Sequence, residues 1–483
     1  MEAVEADSGN MLERFFKFKK WDTSVKRDTL AGLTTFMVMA YIIFVNPSIL
    51  GLGGDPKGLP FAAALTSTCL VAGVMTILMG LVTNRAFAIA PGMGLNAVVA
   101  FSLVLGQDLT MANAMGLVVL EGVAITVLVI TGFREAIFKA IPLELKKAIV
   151  VGIGFFILFI GLVDGGLINV NGGTPVGLVE LGNVPMVPLA VTVVALVSTI
   201  IMLALRWRAA ILLGIVFATV FAIVMNYAWG KTAGFLPGQA ILPTDVVAAP
   251  DFSLIGAFDF GAISKMGITA AVLWIFSLML SDFFDTMGTL VGVGGQAGYL
   301  DKKGDLPQVN RPLMVDSVAA IAGGAVSASS ATTYIESGAG VAHGGRTGWV
   351  AIIVGVLFLV AMFFSPIFGI VPGQATAAAL VIVGYLMMAT LTKAESEAEH
   401  DTTEPRAGID FGNLAFGLPA VLIITIMPLT YSITNGIGAG FIAYTLIRVV
   451  QGKAREVSWM LWIASFAFIL YFIFPWLQSQ GWV

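Results

Sequence analysis

ITAAVLWIFSLMLSDFFDTMGTLV, Ile268 to Val291, is apolar or small at nearly every position except Asp282 and Asp285. The stretch is long enough to cross a bilayer as one helix. A mid-membrane Asp costs about 2.5–3.5 kcal/mol on insertion scales, so two of them in one span need a reason. They stand three residues apart and therefore share a helix face. Such a face looks into a helix bundle, toward a substrate or proton site, and away from lipid.

The rest of the chain has the same character. Its 483 residues are 58% hydrophobic and 11% charged, with mean hydropathy +0.96. Soluble domains carry about 25% charge, so this is an all-α polytopic membrane protein. The 55 glycines fit close helix packing and interrupted helices. A net charge of −4 gives no footprint for nucleic acid. The single cysteine, Cys69, lies in an apolar run and is expected in the core, with no internal disulfide. No cofactor or metal is expected. The first 28 residues are polar and basic, and no cleavage pattern follows the first apolar run, which is expected to act as an uncleaved insertion signal.

Runs of about 20 apolar residues define segments 1 to 14: Thr29–Leu50, Phe61–Val82, Ala86–Leu105, Ala112–Thr131, Ala148–Asp164, Val187–Leu205, Ala209–Trp229, Ile268–Val291, Leu313–Ala328, Ser329–Gly344, Trp349–Phe368, Ala375–Leu391, Phe411–Leu429 and Ile433–Val450. A fifteenth apolar stretch, Trp459–Trp476, either spans or lies along the interface. With the N-terminus in the cytoplasm, all but Lys57, Lys231 and Lys265 of the 25 Lys and Arg fall inside. The inner set runs through Arg14, Lys17, Lys19, Lys20, Lys26, Arg27, Arg85, Arg134, Lys139, Lys146, Lys147, Arg206 and Arg208. It continues through Lys302, Lys303, Arg311, Arg346, Lys393, Arg406, Arg448, Lys453 and Arg455. This asymmetry supports the positive-inside assignment. The acidic run Glu395–Glu404 reads as a solvated inner loop, and Arg134–Lys147 as a connector on the inner surface.

The link Gly230 to Gly267 separates segments 1–7 from 8–14. Seven is odd, so the second half is inverted relative to the first. Segments 3 and 10 are both short, Gly-rich and weakly apolar. Matching weak segments in inverted halves point to a transporter's binding site. In segment 3, Ala88 to Ala97 reads AIAPGMGLNA, where Pro91, Gly92 and Gly94 favour extended backbone followed by a short helix. Free N–H groups at such a helix start can hold a polar ligand, and the Asn96 amide both donates and accepts. Segment 10, SSATTYIESGAGVAHGGR from Ser329 to Arg346, is too polar to face lipid. Its helix is expected to begin near Thr333, with Glu336 in the first turn, where the helix dipole favours negative charge.

Asp282 and Asp285 repel when both are ionised, so one is expected to hold a proton near neutral pH, which suits proton coupling. Asp285, followed by Thr286, Gly288 and Thr289, also suits a supporting role. For Glu121 in segment 4 the sequence offers no partner, and structural and transport roles stand side by side. Asp316, near Arg311, reads as structural, and His343 as a structural hydrogen-bonding group. Asn46-Pro47 reads as the end of segment 1; Thr34, Thr35 and Tyr41 can face the site.

Four runs then carry a family resemblance: FFDTMGTL (Phe283–Leu290), APGMGLNA (Ala90–Ala97), SATTYIESGAG (Ser330–Gly340) and LTTFMVMAYIIFVNP (Leu33–Pro47). In this order the chain resembles the AzgA-like branch of the nucleobase–cation symporters, from Leu33 to about Val450. The resemblance implies hypoxanthine, adenine or guanine as substrate, proton symport, and a homodimer in the cell membrane, with the bacterial inner membrane as the expected location. It implies a fourteen-segment, seven-plus-seven inverted repeat. A core domain (29–131 and 268–368) moves against a gate domain (132–229 and 369–452), flanked by the tail 1–28, the outer link 230–267 and the C-terminal segment 453–483. It assigns substrate roles to Gly94, Asn96, Asp282, Asp285 and Glu336, all present. A purine offers N–H donors and ring-nitrogen acceptors. Glu336 can accept on one edge while Asn96 serves the other, Thr333 lies beside them, and Phe283 is a candidate to stack on the ring. Asp282, Glu336 and Asp285 are the proton-coupling candidates.

Two other classes compete. An anion transporter or channel of the same fold needs no carboxylate at the site, and Glu336 argues against it. An intramembrane aspartyl protease needs two Asp on separate segments, one within a Gly-x-Gly-Asp motif that is absent here. The chain is not read as an enzyme.

Overall fold

The computed structural model describes residues 11–131, 141–171, 174–178, 186–207, 209–230, 233–243, 245–301, 306–396 and 409–479. Arg134, Lys139, Arg208, Lys231, Lys302, Lys303 and Arg406 lie outside these residues. So do 397–404 of the acidic run and the first half, 134–140, of the Arg134–Lys147 connector.

The apolar runs fold as helices because an apolar span must satisfy its own backbone groups. Among the described residues, nine helices are long and apolar enough to cross a membrane. They match segments 1, 2, 4–8, 11 and 14. Shorter apolar helices stand at Met93–Gly106, Gly373–Ala389, Leu414–Leu429 and Trp459–Ile473. Segment 9 is the helix Asn310–Ala325. Segment 8 lies in the helix Gly261–Gln296, interrupted at Gly267, whose φ of 81° only glycine adopts at little cost. The break falls one residue before the expected start of the span.

Segments 3 and 10 are not continuous helices. Strand β1 (Ile89–Pro91) leads into the helix Met93–Ala97 and then a wider π-helical stretch, Val98–Gly106. A hairpin of β2 (Ile168–Asn171) and β3 (Thr174–Leu178) follows segment 5. Strand β4 (Ala331–Thr333) leads into the helix Ser337–Ala342. β1 and β4 pair antiparallel, Ile89 with Thr333, Ala90 with Thr332 and Pro91 with Ala331. Both strands are fully buried.

The helices pack in two groups. In one, segment 2 packs on 11, 4 on 9, 1 on 11, 4 on 8, and 2 on 9. In the other, segment 5 packs on 12, 6 on 7, 13 on 14, 5 on 13, and 6 on 12. Small residues let backbones meet at these crossings. A Cβ on Gly348 would come within 2.1 Å of the Gly80 carbonyl oxygen, and one on Gly384 within 2.4 Å of that of Gly154. Cys69 is buried in the core, as expected.

The loops sort onto two faces. Lys57 pairs with Asp108, Asn113 with Asp259, and the Ala240 N–H donates to Ile370 O, joining loops 1–2, 3–4, 7–8 and 11–12. On the other face, Arg85 reaches Pro307 O, joining loop 2–3 to loop 8–9, and Asp28 accepts from the Thr347 N–H, joining the N-terminal end of segment 1 to loop 10–11. These are the two sets of loops that alternation along the chain requires.

Two local expectations need correction, and two further features go beyond the sequence reading. Segment 1 does not end at Asn46-Pro47: it breaks at Ala40–Tyr41 and resumes as Ile42–Leu50 with Pro47 inside. The short helix tolerates Pro47 because the proline removes one internal donor and Gly51 N–H still caps its carbonyl at 2.9 Å. The segment 10 helix starts at Ser337, not near Thr333, because Tyr334 N–H continues the ladder to Ala88 O at 2.9 Å. The β2–β3 hairpin was not foreseen, although Gly172-Gly173 is a hairpin signal. Trp459–Ser479 is a helix. It lies against segment 14 through Thr445–Ser465 and Phe441–Phe468, and against segment 8 through Trp274–Tyr471.

Candidate functional site

The site grows from the β1–β4 crossing. Strands this short cannot hold themselves, so neighbouring segments clamp them. On the β1 side, the Thr76 hydroxyl of segment 2 both donates to Ile89 O and accepts from Ile89 N–H, each at 2.9 Å. On the β4 side, Asp316 of segment 9 accepts from Thr333 N–H at 2.9 Å and from the Thr333 hydroxyl at 2.8 Å. Its other oxygen accepts from Thr286 of segment 8 at 2.6 Å, and Thr286 also meets Thr332 at 2.7 Å. The Ala88 N–H donates to Ser337 Oγ at 2.9 Å, and the Tyr334 hydroxyl to Pro91 O.

The crossing aims two short helices in opposite directions. After β1, Gly92 caps the first; a Cβ there would press on Thr332 Cγ2 at 2.9 Å, so the strand pairing itself calls for glycine. Gly94 faces the other helix group, with a Cβ there meeting Ile153 at 3.1 Å and Ile433 at 3.5 Å. Asn96 is fully buried, and neither its amide nitrogen nor its oxygen has a hydrogen-bond partner among the described residues. Buried amides are rarely left this way. A polar ligand would supply what the fold does not.

After β4, Glu336 occupies the cap position of its helix, one residue before the first turn expected for it. The Tyr41 hydroxyl, from the break in segment 1, donates to Glu336 Oε1 at 2.5 Å. That break is what lets Tyr41 reach the site. Asp282 and Phe283 are buried on segment 8, and Asp285 is half-buried. Asp285 shares an electrostatic neighbourhood with Glu336 and Asp316. The structure thus gathers Glu336, Asp285, Thr333 and Tyr41 around the β4 end of the crossing, with Asp282 one turn back along segment 8. Both donors of Thr333 are committed to Asp316, so toward a ligand its hydroxyl can only accept.

The remaining intramembrane polar groups are also placed. Asp316 is structural as expected, but it acts by joining segments 8, 9 and 10. A single sequence holds no signal for that, because Thr286 and Thr333 are remote from it in the chain. Glu121 does have a partner: the Ser330 hydroxyl donates to it at 3.2 Å. His343 Nδ1 lies 3.3 Å from the Thr34 hydroxyl. Asn46 donates to Thr68 at 2.8 Å and to Ala328 O at 3.1 Å, so it pins the turn before β4.

Two broken segments crossing at a buried polar centre, inside a bundle of apolar helices, define a multi-pass membrane transporter. The sequence pattern of the Permease family matches residues 27–406, and the chain belongs to that family. It is 40% identical over 471 residues to the guanine/hypoxanthine permease PbuG of Bacillus subtilis, covering 96% of this chain and all of that one. It is 36% identical to the adenine permease AdeP of Escherichia coli, covering 98% of both chains. Among solved structures, the transmembrane domain of the cyanobacterial bicarbonate transporter BicA aligns at TM-score 0.59 and 14% identity, over 86% of this chain and 96% of that one. The murine Slc26a9 anion transporter in its inward-facing state aligns at TM-score 0.58 and 14% identity, over 93% and 74%. At such identity the likeness shows the fold alone. The chain is a permease and not an enzyme.

Proposed function

We propose that this permease imports purine nucleobases by proton symport. The observation that carries the reading is the buried Asn96 amide, which makes no hydrogen bond among the described residues, across the β1–β4 crossing from the carboxylate of Glu336. One group donates and accepts and the other accepts, which suits the two polar edges of a flat heterocycle. The relatives named as guanine/hypoxanthine and adenine permeases support the same substrate class. Gly94 keeps the approach open, and Phe283 is the aromatic candidate for the ring face. Asp282 and Glu336 take up the coupling proton, with Asp285 in support.

In this reading the fold is a fourteen-segment inverted repeat. Exchanging each segment with the one seven places along leaves the packing pairs unchanged: 2 on 11 becomes 9 on 4, 5 on 13 becomes 12 on 6, and 6 on 7 becomes 13 on 14. The two packing groups supply the core (29–131 and 268–368) and the gate (132–229 and 369–452). The core carries the loaded site past the gate toward the cytoplasm, where the N-terminus lies, as the basic residues favour. The assembly is a homodimer in the cell membrane.

Uptake of radiolabelled adenine, guanine and hypoxanthine by cells producing the chain tests the reading. Glu336→Gln and Asp282→Asn are expected to abolish uptake while the protein still reaches the membrane. Normal uptake in both variants defeats it. Bicarbonate or chloride flux without purine uptake would favour the anion transporter instead, the class of the two structural neighbours.

A further inference from the structure

The residues before segment 1 are folded against the protein. The helix Met11–Phe16 and the turn Phe18–Trp21 are separated by Lys17, whose φ of 57° reverses the chain. Phe16 and Phe18 are buried. The Phe16 ring meets Trp349 at the start of segment 11 at 5.5 Å, and Trp21 meets Tyr299 after segment 8 at 5.2 Å. The Asn84 amide, at the end of segment 2, donates to Phe16 O at 2.9 Å. These anchors all belong to the packing group that contains β1 and β4.

The outer side of this fold is basic. Arg14, Lys17, Lys19 and Lys20, with Glu13, line a surface cleft of about 350 Å³. All four cations are exposed. Beside them Phe15 leaves half of its surface uncovered, while its neighbour Phe16 is sealed inside. Every anchor is a segment end on one face of the bundle, so the cleft lies at the level where lipid headgroups begin. Lysines around a concavity, with one open aromatic next to them, form the pattern of an interfacial contact with anionic lipid.

We propose that this cleft binds the phosphate of anionic phospholipids in the adjacent leaflet, with Phe15 inserted among the acyl chain ends. The four cations receive the phosphate, and Lys17, held in its reversed conformation, turns Arg14 and the Lys19–Lys20 pair toward one concavity. The site is independent of the substrate assignment. It fastens one packing group to the charged leaflet surface and makes that group's position sensitive to lipid charge.

The test uses the full chain in neutral detergent, with thermal unfolding followed by intrinsic fluorescence. Short-chain phosphatidylglycerol is expected to raise the unfolding midpoint, and short-chain phosphatidylcholine is not. The variant Lys17→Gln, Lys19→Gln, Lys20→Gln is expected to need on the order of a hundredfold more phosphatidylglycerol, about fivefold per lysine. Lys17→Arg, Lys19→Arg, Lys20→Arg keeps the response. Equal stabilisation by the two lipids overturns the proposal, as does an unchanged response in the glutamine variant or a lost one in the arginine variant. An equal shift with inorganic phosphate alone also overturns it, in favour of a soluble-anion site.

Discussion

Segments 3 and 10 each run extended for three residues and then start a short helix, and their strands pair residue for residue. Their anchoring differs. β1 is clamped by the single hydroxyl of Thr76, which closes two hydrogen bonds with Ile89. β4 is clamped by the carboxylate of Asp316, which gathers Thr333 and Thr286 from two different segments. Their cargo differs as well. The segment 3 helix presents an amide without a partner among the described residues, and segment 10 presents a carboxylate steadied by Tyr41. The neutral side is held lightly and the acidic side by a wider network. A carboxylate in a low-dielectric centre must be placed accurately, since misplacing it leaves charge buried without compensation. A neutral amide tolerates more slack.

Substitutions can break this contrast. The largest effect is expected for Asp316→Ala, which strands the Thr333 N–H and hydroxyl and leaves the Thr286 hydroxyl with Thr332 alone. A loss of about 3–5 kcal/mol follows from orphaning buried donors that now bond to a carboxylate. Thermal unfolding in detergent would show it, and an Asp316→Ala protein as stable as the parent would remove the network from the account. Thr76→Val is expected to cost less, about 1–3 kcal/mol, because one donor and one acceptor of Ile89 lose their partner. Thr76→Ser should restore most of that stability.

Asn96→Ala sharpens the comparison differently. The amide makes no bond among the described residues, so only packing is lost and stability should fall by no more than about 1 kcal/mol. Purine affinity should fall roughly tenfold or more, the usual size of one lost ligand hydrogen bond. Unfolding and uptake measured on the same preparation separate the two. If the variant unfolds early, Asn96 is a packing residue. Tyr41→Phe removes one donor from Glu336 and keeps the ring; a several-fold rise in the KM for uptake and a shifted pH profile are expected, with little change in stability.

The smallest effect is predicted on the face that carries Lys57 and Asp108. The hydrogen bond from Lys57 holds the Asp108 carboxyl below the usual carboxylate range. A carboxyl whose pKa is depressed by folding contributes stability above its unfolded value and loses it as pH falls through the folded one. Any contribution is therefore present from mildly acidic pH upward and is lost only in strong acid. Both side chains lie in water, where such pairs matter little. Lys57→Gln should leave the unfolding midpoint at pH 7 unchanged, and a clear drop would make this loop contact part of the fold's support.

Much of the architecture was legible in the chain because lipid imposes a strong rule. A segment without water must be apolar and helical, so hydropathy marks the spans, and Gly and Pro mark where helices break. That is why the interruption at Pro91-Gly92 and the polar run Ser329–Gly344 stood out. Local rules failed where a remote partner decided the outcome. Pro47 reads as a helix end until the break at Ala40–Tyr41 resets the count. Thr333 reads as a helix start until Ala88 and Asp316 hold it extended.

The sequence by itself determined that the chain spans a membrane, that segments 3 and 10 are interrupted, and that Asn96, Asp282, Asp285 and Glu336 are expensive groups in apolar surroundings. Composition and spacing suffice for this, since the cost of a polar group in lipid depends on its own identity and depth. The tertiary structure alone decided the partners. Tyr41 came to Glu336, Ser330 to Glu121, and Asp316 to strand β4. Hydrogen bonds act over about 3 Å, and which groups come that close depends on how the helices cross, which no local pattern encodes.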